Sequence, residues 1–255
     1  MICPICKKEL SISNKSYKCS NNHSFDIAKE GYLNLLISKK NSGDTKESTL
    51  ARLEFLEKGY YDFLGNELNK IISNISTSLD ILDLGCGVGY YDKFIPCNKL
   101  VGLDISKNAI QKAAKHHKDY FYLVASSASI PYQDQSFDLV FSIFSPIFIE
   151  EIKRVLTPNG ILITVTPGIN HLFELKQRLY TNPYLNEEEN ISYPDFDCDS
   201  MTIKNQVILD SSDIDNLIKM TPYYYKTNSD DIKMIKKDSF TITFEFCINI
   251  YKLKY

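Results

Sequence analysis

Ile81-Leu82-Asp83-Leu84-Gly85-Cys86-Gly87-Val88-Gly89 is the stretch that decides the fold. An aliphatic run ends in an acid and a leucine, and glycines then recur at alternate positions. The run reads as a buried strand. The glycines permit a tight turn in which the backbone can approach a ligand closely. Downstream, short apolar runs recur at Leu100–Asp104, Tyr120–Val124, Leu139–Ile143 and Gly160–Thr166, and with Leu79–Leu84 they are predicted strands. Helices are predicted between them at about 89–95, 106–117 and 147–156, and Thr241–Tyr251, rich in β-branched and aromatic residues, closes the series. Strand–helix alternation of this kind predicts an α/β fold with a Rossmann-like, mostly parallel sheet.

Upstream of the glycines, Leu50, Leu53, Phe55, Leu56 and Tyr60 recur at helical spacing, and Leu64, Leu68, Ile71 and Ile72 resume it after Gly59. This predicts a broken helical pair. Residues 38–48 carry no large apolar side chain and read as a linker. Residues 182–200, with Pro183, Pro194 and Glu187-Glu188-Glu189, read as a surface excursion. No internal repeat is visible. The expected division is a small N-terminal module at 1–37, linker and bridging helices at 38–78, and the α/β domain at 79–255.

The chain has 255 residues, 44% hydrophobic and 24% charged, which suits a globular protein and excludes disorder as its main state. No apolar run reaches the roughly 20 residues of a membrane helix. Met1-Ile2-Cys3-Pro4 leads into no apolar stretch, so no signal peptide is expected. Seven cysteines, unevenly placed, fit a cytoplasmic protein with thiol ligands better than a secreted disulfide framework. The net charge of −3 hides an asymmetry, because residues 1–42 sum to +4 and the remainder to −7. A small basic module therefore sits on an acidic body.

That module holds Cys3-x2-Cys6-x12-Cys19-x3-His23. Zinc favours four tetrahedral thiolate or imidazole ligands, and a two-residue gap lets one turn present two sulfurs to one ion. The alternative is chance adjacency, with a disulfide between Cys3 and Cys6. With all four positions filled by protein, the expected Zn(2+) is structural.

The glycine loop has two acids around it: Asp83 ends the strand before it, and Asp104 ends the next strand, where an acid can accept from ribose hydroxyls. Two acids and three glycines suit an adenosine cofactor that carries positive charge. The spacing is that of neither a dinucleotide fingerprint nor a phosphate loop.

Here the sequence resembles the class I S-adenosylmethionine-dependent methyltransferases. Leu79–Gly89 looks like their first motif and Gly102-Leu103-Asp104 like their second. Ile130-Pro131-Tyr132-Gln133-Asp134-Gln135-Ser136-Phe137-Asp138 and Arg154-Val155-Leu156-Thr157-Pro158-Asn159-Gly160 resemble later ones. One departure is Ser126, which stands where an acid usually contacts the adenine amine.

The ribbon, Phe25–Leu36, Ala51-Arg52-x2-Phe55-Leu56-x2-Gly59-x-Tyr61 and Thr166-Pro167-Gly168-x2-His171-Leu172-x-Glu174-Leu175-Lys176 together resemble the 23S ribosomal RNA (guanine-N1)-methyltransferases. Ala125-Ser126-Ser127 and Met220-Thr221-Pro222 extend the match, and that family shares the Ser-Ser departure. Val88 stands where Glu is common. The resemblance implies a seven-stranded methyltransferase sheet and methyl transfer to N1 of a guanine in a 23S rRNA hairpin. It implies cofactor contacts from Tyr61, Gly87, Val88 and His171, beside the Asp83, Gly85, Asp104 and Ser126 of the motifs. It also implies zinc on Cys3, Cys6, Cys19 and His23, and a homodimer framing a basic RNA cleft. No base for the N1 proton is named; Asp26 and Glu30 are conceivable if the ribbon folds over the pocket.

Ser145-Pro146-Ile147-Phe148 lacks the Asn-Pro-Pro-Tyr of exocyclic-amine methyltransferases and has no cysteine for pyrimidine C5 chemistry. Two rivals remain: a small-molecule methyltransferase with an incidental ribbon, and a silent fold that only binds RNA. His116-His117 reads as a solvated helix end. Tyr223-Tyr224-Tyr225 could stack on a base or simply pack.

Overall fold

The computed structural model describes residues 1–37, 44–187, 192–226, 235 and 239–254. The first part of the expected linker, 38–43, lies outside them, as does 188–191 of the expected excursion.

The N-terminal ribbon is a three-stranded antiparallel sheet, β1 (Leu10–Ser13), β2 (Ser16–Cys19) and β3 (Ser24–Asp26). A two-residue strand, β4 (Leu33–Asn34), leaves it for the main sheet. Helices α1 (Lys46–Glu57) and α2 (Asp62–Ile75) follow. Thr45 caps α1 by accepting from Ser48 N–H, and Gly59, at φ +80°, makes the expected break. In α2, Leu64, Leu68 and Ile72 recur every four residues and are fully buried, so one face is committed to the core.

The catalytic body then runs β5 (Asp80–Leu84), β6 (Lys99–Asp104), α3 (Lys107–His116), β7 (Phe121–Val124), β8 (Phe137–Ile143), α4 (Ile149–Val155) and β9 (Leu156–Pro167). It ends with α5 (Phe173–Leu179), β10 (Phe196–Leu209), α6 (Ser211–Lys219), α7 (Tyr223–Lys226) and β11 (Phe240–Leu253). The sheet order is β10-β11-β9-β8-β5-β6-β7-β4. All pairs from β4 to β9 are parallel; β11 runs antiparallel to both β9 and β10. Six of these strands stand where the sequence predicts them, β10 makes up the seven that the resemblance implies, and β4 of the ribbon is added as an eighth. Central β5 buries Ile81, Leu82, Asp83 and Leu84 because helices cover both faces, which is why its sequence is a run and not an alternation.

Two expectations need correction. The helix predicted at 89–95 is only a single 3-10 turn, Asp92–Phe94. Gly89 there has φ +73°, and a Cβ on it would meet the Tyr122 hydroxyl at 2.8 Å, so the chain turns sharply where a helix would have begun. The excursion at 182–200 ends inside β10, whose pairing with β11 runs from Phe196–Leu253 to Leu209–Phe240. Most of its residues are exposed, as suits an edge strand, and this removed the apolar signal. His116 is exposed and lies 3.7 Å from Glu57; His117 is half-buried against Tyr120.

The ribbon is welded to the body. Ile2 N–H donates to Pro131 O, and Leu35 N–H to Val124 O. One buried apolar cluster joins Leu10, Leu33 and Leu35 to Leu82, Val101, Leu123 and Ile130. Among the described residues no helix is long and apolar enough to cross a membrane.

Candidate active site and metal centre

Cys3, Cys6, Cys19 and His23 converge, with all four ligand atoms within 4.8 Å of one another. The sulfurs of Cys6 and Cys19 are 3.6 Å apart, and His23 Nδ1 lies 3.5 Å from Cys3 Sγ and 3.4 Å from Cys19 Sγ. A tetrahedron with Zn–S bonds of about 2.3 Å has S···S edges of about 3.8 Å. The donor set therefore fits Zn(2+), and all seven cysteines are free of disulfides. Two matching turns aim the ligands. Lys7 N–H donates to Cys3 O and Asn22 N–H to Cys19 O, with Lys7 and Asn22 at φ near 60°. Burial works against ionising the Cys19 thiol, but backbone N–H groups at His23 and Asn21 and the neighbouring thiols outweigh it and bring it down to about 6. Protein supplies all four tetrahedral ligands, so the metal is structural.

The second site is a cavity of about 890 Å³ at the C-terminal ends of the parallel strands, beside the β5–β8 boundary where chain direction across the sheet reverses. The structure brings Tyr61, Asp83, Gly85, Gly87, Val88, Asp104 and His171 together in its lining. Ser126 is not among the lining residues; its hydroxyl accepts from Ala128 N–H in the loop after β7. Neither Asp26 nor Glu30 lines the cavity, and Glu30 is held by Gln111 instead.

The glycines are needed individually. Gly85 has φ +82°, and a Cβ there would lie 2.2 Å from the Ser145 hydroxyl. Gly87 donates its N–H to Asp104 Oδ2 at 2.9 Å, while Ser106 N–H donates to Oδ1 at 2.7 Å, so the Asp104 carboxylate is fixed at the strand end. Burial still raises its pKa above the ordinary carboxylate range. Asp83 lies deeper, and burial together with Asp92 holds its carboxyl well up. Burial lifts Asp92 to about 6 against the hydrogen bond it accepts from Tyr122 Oη at 2.5 Å. Carboxyls and open glycine backbone fit the cationic sulfonium and ammonium of S-adenosylmethionine and the hydroxyls of its ribose.

His171 is buried among Phe144, Phe244 and Phe246. Its Nδ1 accepts Glu245 N–H at 3.3 Å, which leaves the proton on Nε2. Desolvation, with Lys176 adding to it, pulls its pKa down to about 3, so the ring is a neutral donor.

Sequence reasoning missed two residues that line this cavity, Arg52 and Phe144, and one that braces its wall from behind, Lys176. Arg52 of α1 reaches over the glycine turn, with Nη2 donating to Met220 O at 3.2 Å and Nη1 paired with Asp44. Lys176 is 1% exposed; its ammonium donates to Tyr184 O and Asn186 Oδ1, and Asn186 in turn donates to the carbonyls of Gly168 and His171. Phe144 is 45% exposed at the end of β8, with φ 56°, an uncommon conformation for an aromatic residue. Arg52 and Lys176 lie inside segments that the resemblance had picked out, and Phe144 directly follows a predicted strand, but none of the three has a local pattern that reveals its contacts.

Comparison with known proteins agrees with this geometry. A family model for the RlmA N-terminal zinc ribbon matches residues 1–43, and a methyltransferase-domain model matches 82–164. YxjB of Bacillus subtilis (strain 168), which carries the provisional name 23S rRNA (guanine-N(1)-)-methyltransferase, is 33% identical over 254 residues, covering 92% of this chain and 90% of its own. The 23S rRNA (guanine(748)-N(1))-methyltransferase of Streptomyces fradiae is 33% identical over 187 residues, with 69% and 66% of the two chains covered. Among solved structures, YcgJ from Bacillus subtilis superposes with a TM-score of 0.52 at 13% identity, over 74% of this chain and 98% of that one, a likeness of fold alone. Ribbon, glycine turn and near full-length likeness thus converge: this chain belongs to the 23S rRNA (guanine-N1)-methyltransferase family and is an S-adenosylmethionine-dependent methyltransferase with a structural zinc ribbon.

Proposed function

We propose that this chain methylates N1 of a guanine in a hairpin of 23S rRNA, in the cytoplasm and as a homodimer. The supporting observation is that a four-ligand ribbon is joined by backbone pairing to the edge of the sheet whose strand ends open on the cavity. The cavity lining is of two kinds. Asp83, Asp104 and the glycines offer carboxyls and open backbone to the cofactor. Phe144, Pro146, Ile147 and Tyr223 are uncharged and partly aromatic, which suits a flat base.

S-adenosylmethionine, when bound, supplies an already activated methyl group. Transfer of that methyl to N1 would leave the cofactor as a neutral thioether and release the N1 proton to water. The protein's task is therefore chiefly positioning. Tyr61, Asp83, Gly85, Gly87, Val88, Asp104 and His171 hold the cofactor, and the Ser126 loop adjoins it. Guanine N1 lies on the base-pairing edge, so the base enters unpaired or extruded. The ribbon's exposed lysines contact RNA phosphates.

The test is methyl transfer from labelled cofactor to unmethylated 23S rRNA, followed by digestion and mass mapping. Label in 1-methylguanosine at one hairpin is expected. Incorporation at another atom would keep the enzyme and overturn the acceptor. No incorporation, with cofactor binding intact, would shift the acceptor to a small molecule.

A further inference from the structure

The cofactor carries two cationic groups and one carboxylate, and the cavity has three carboxyls but little to receive an anion. Among the described residues lining it, Arg52 is the one lysine or arginine, and the lining histidine, His171, is neutral. The Arg52 guanidinium is placed over the glycine turn, with Nη1 3.7 Å from where a Cβ on Gly87 would stand. Burial raises the pKa of Tyr61, Tyr91 and Asp104, and the positive charge of Arg52 partly offsets that rise at each. The fork is aimed from one side by Met220 O and occupied on the other by the Asp44 carboxylate.

Apart from the pair with Arg52, the contacts of Asp44 among the described residues are made by its main chain. Its carbonyl accepts from the Ser106 hydroxyl at 3.3 Å and from Asn108 Nδ2 at 3.4 Å. The carboxylate can therefore leave Arg52 while the backbone stays in place. Both partners retain about a quarter of their surface in solvent, so the pair is reachable from the cavity mouth.

We propose that Arg52 is the carboxylate subsite of the cofactor cavity, and that the Asp44 side chain occupies it until the ligand's own carboxylate takes its place. A guanidinium offers parallel N–H donors to a carboxylate, which suits exchange of one carboxylate for another on the same fork. The subsite rests on the cofactor and is independent of which nucleotide is methylated.

The experiment is calorimetry on the full chain with two ligands, S-adenosylhomocysteine and its decarboxylated analogue, which keeps the adenosine, thioether and amine. Arg52→Ala is expected to weaken S-adenosylhomocysteine at least tenfold and to leave the analogue within twofold. Retained binding of the analogue also shows that the cavity has kept its shape. Asp44→Asn is expected to tighten S-adenosylhomocysteine at least threefold and to leave the analogue unchanged. Equal losses for both ligands in Arg52→Ala, or no loss, would overturn the subsite. So would Asp44→Asn binding S-adenosylhomocysteine no tighter than the unaltered chain, and this arm decides the matter if Arg52→Ala does not fold. Failure of the unaltered chain to bind either ligand would overturn the cofactor cavity and the subsite with it.

Discussion

The zinc ribbon and the glycine turn solve the same problem with different chemistry. Each must hold a reversed backbone around a ligand. In the ribbon the reversals fall on Lys7 and Asn22, both with side chains and both at φ near 60°. In the cofactor cavity they fall on Gly85, Gly87 and Gly89. Left-handed backbone costs a lysine about 1 kcal/mol or more, and the ribbon tolerates it because four metal bonds fix the turn. The glycine turn has no such bonds. It is shaped by packing against Ser145 and Tyr122, and at Gly85 and Gly89 a Cβ would collide. Bonded geometry tolerates strain, whereas packed geometry must avoid it.

The largest way to break this comparison is to remove a ligand. In isolated zinc fingers the metal contributes about 10–16 kcal/mol to folding, and the ribbon has few large buried side chains of its own. Cys19→Ser is expected to reduce zinc content from one ion per chain to almost none. Amide exchange of β1, β2 and β3 should then become fast, while β5 and β8 stay protected. Unchanged metal content would refute a four-ligand site.

Next comes the packed turn. Gly85→Ala adds the strain of positive φ to a 2.2 Å collision with Ser145. The expected cost is about 2–4 kcal/mol of stability, together with at least a tenfold weaker affinity for S-adenosylhomocysteine and unchanged zinc content. Wild-type affinity would show that the turn is looser than its packing implies.

His171 sharpens the comparison through pH. Its folded pKa is about 3 against 6.5 when exposed, so below pH 6.5 the unfolded chain takes up a proton that the native chain refuses. Stability tied to the neutral ring is complete above pH 6.5 and is lost towards pH 3, at about 1.4 kcal/mol per unit. Urea unfolding of the native chain and of His171→Gln should therefore converge as pH falls from 7 to 5. Asp92, raised to about 6, works in the opposite direction but is present in both chains and cancels. A pH-independent difference would mean that the ring is open to solvent protons.

These contrasts also explain what was legible in the sequence. β5, β6, β8 and β9 were legible because strands covered on both faces leave continuous apolar runs. The ribbon was legible because ligand spacing is local. β10 was not, since its pairing partners lie 31 to 57 residues away and one face meets water. Lys176 reads locally as a solvated helix residue; only Tyr184 and Asn186, folding back over α5, bury it. Arg52 was quoted as part of a helical motif, but its place over the glycine turn depends on a contact with Met220, 168 residues on. Tyr61 and His171 became cofactor candidates through resemblance, because neither has a local pattern of its own.

The smallest expected effect separates strain from crowding. Gly31, where the ribbon turns towards β4, has φ +101°, as unfavourable for a side chain as Gly85, yet a Cβ there would meet nothing within 4 Å. Gly31→Ala therefore carries the backbone penalty alone, about 1 kcal/mol. Zinc content and affinity for S-adenosylhomocysteine should both be unchanged, with only a small fall in the unfolding midpoint. If Gly31→Ala costs as much as Gly85→Ala, backbone strain accounts for both, and the collision with Ser145 is relieved by a small shift of that serine. If it costs much less, the excess at Gly85 measures how tightly packing alone holds the cofactor turn.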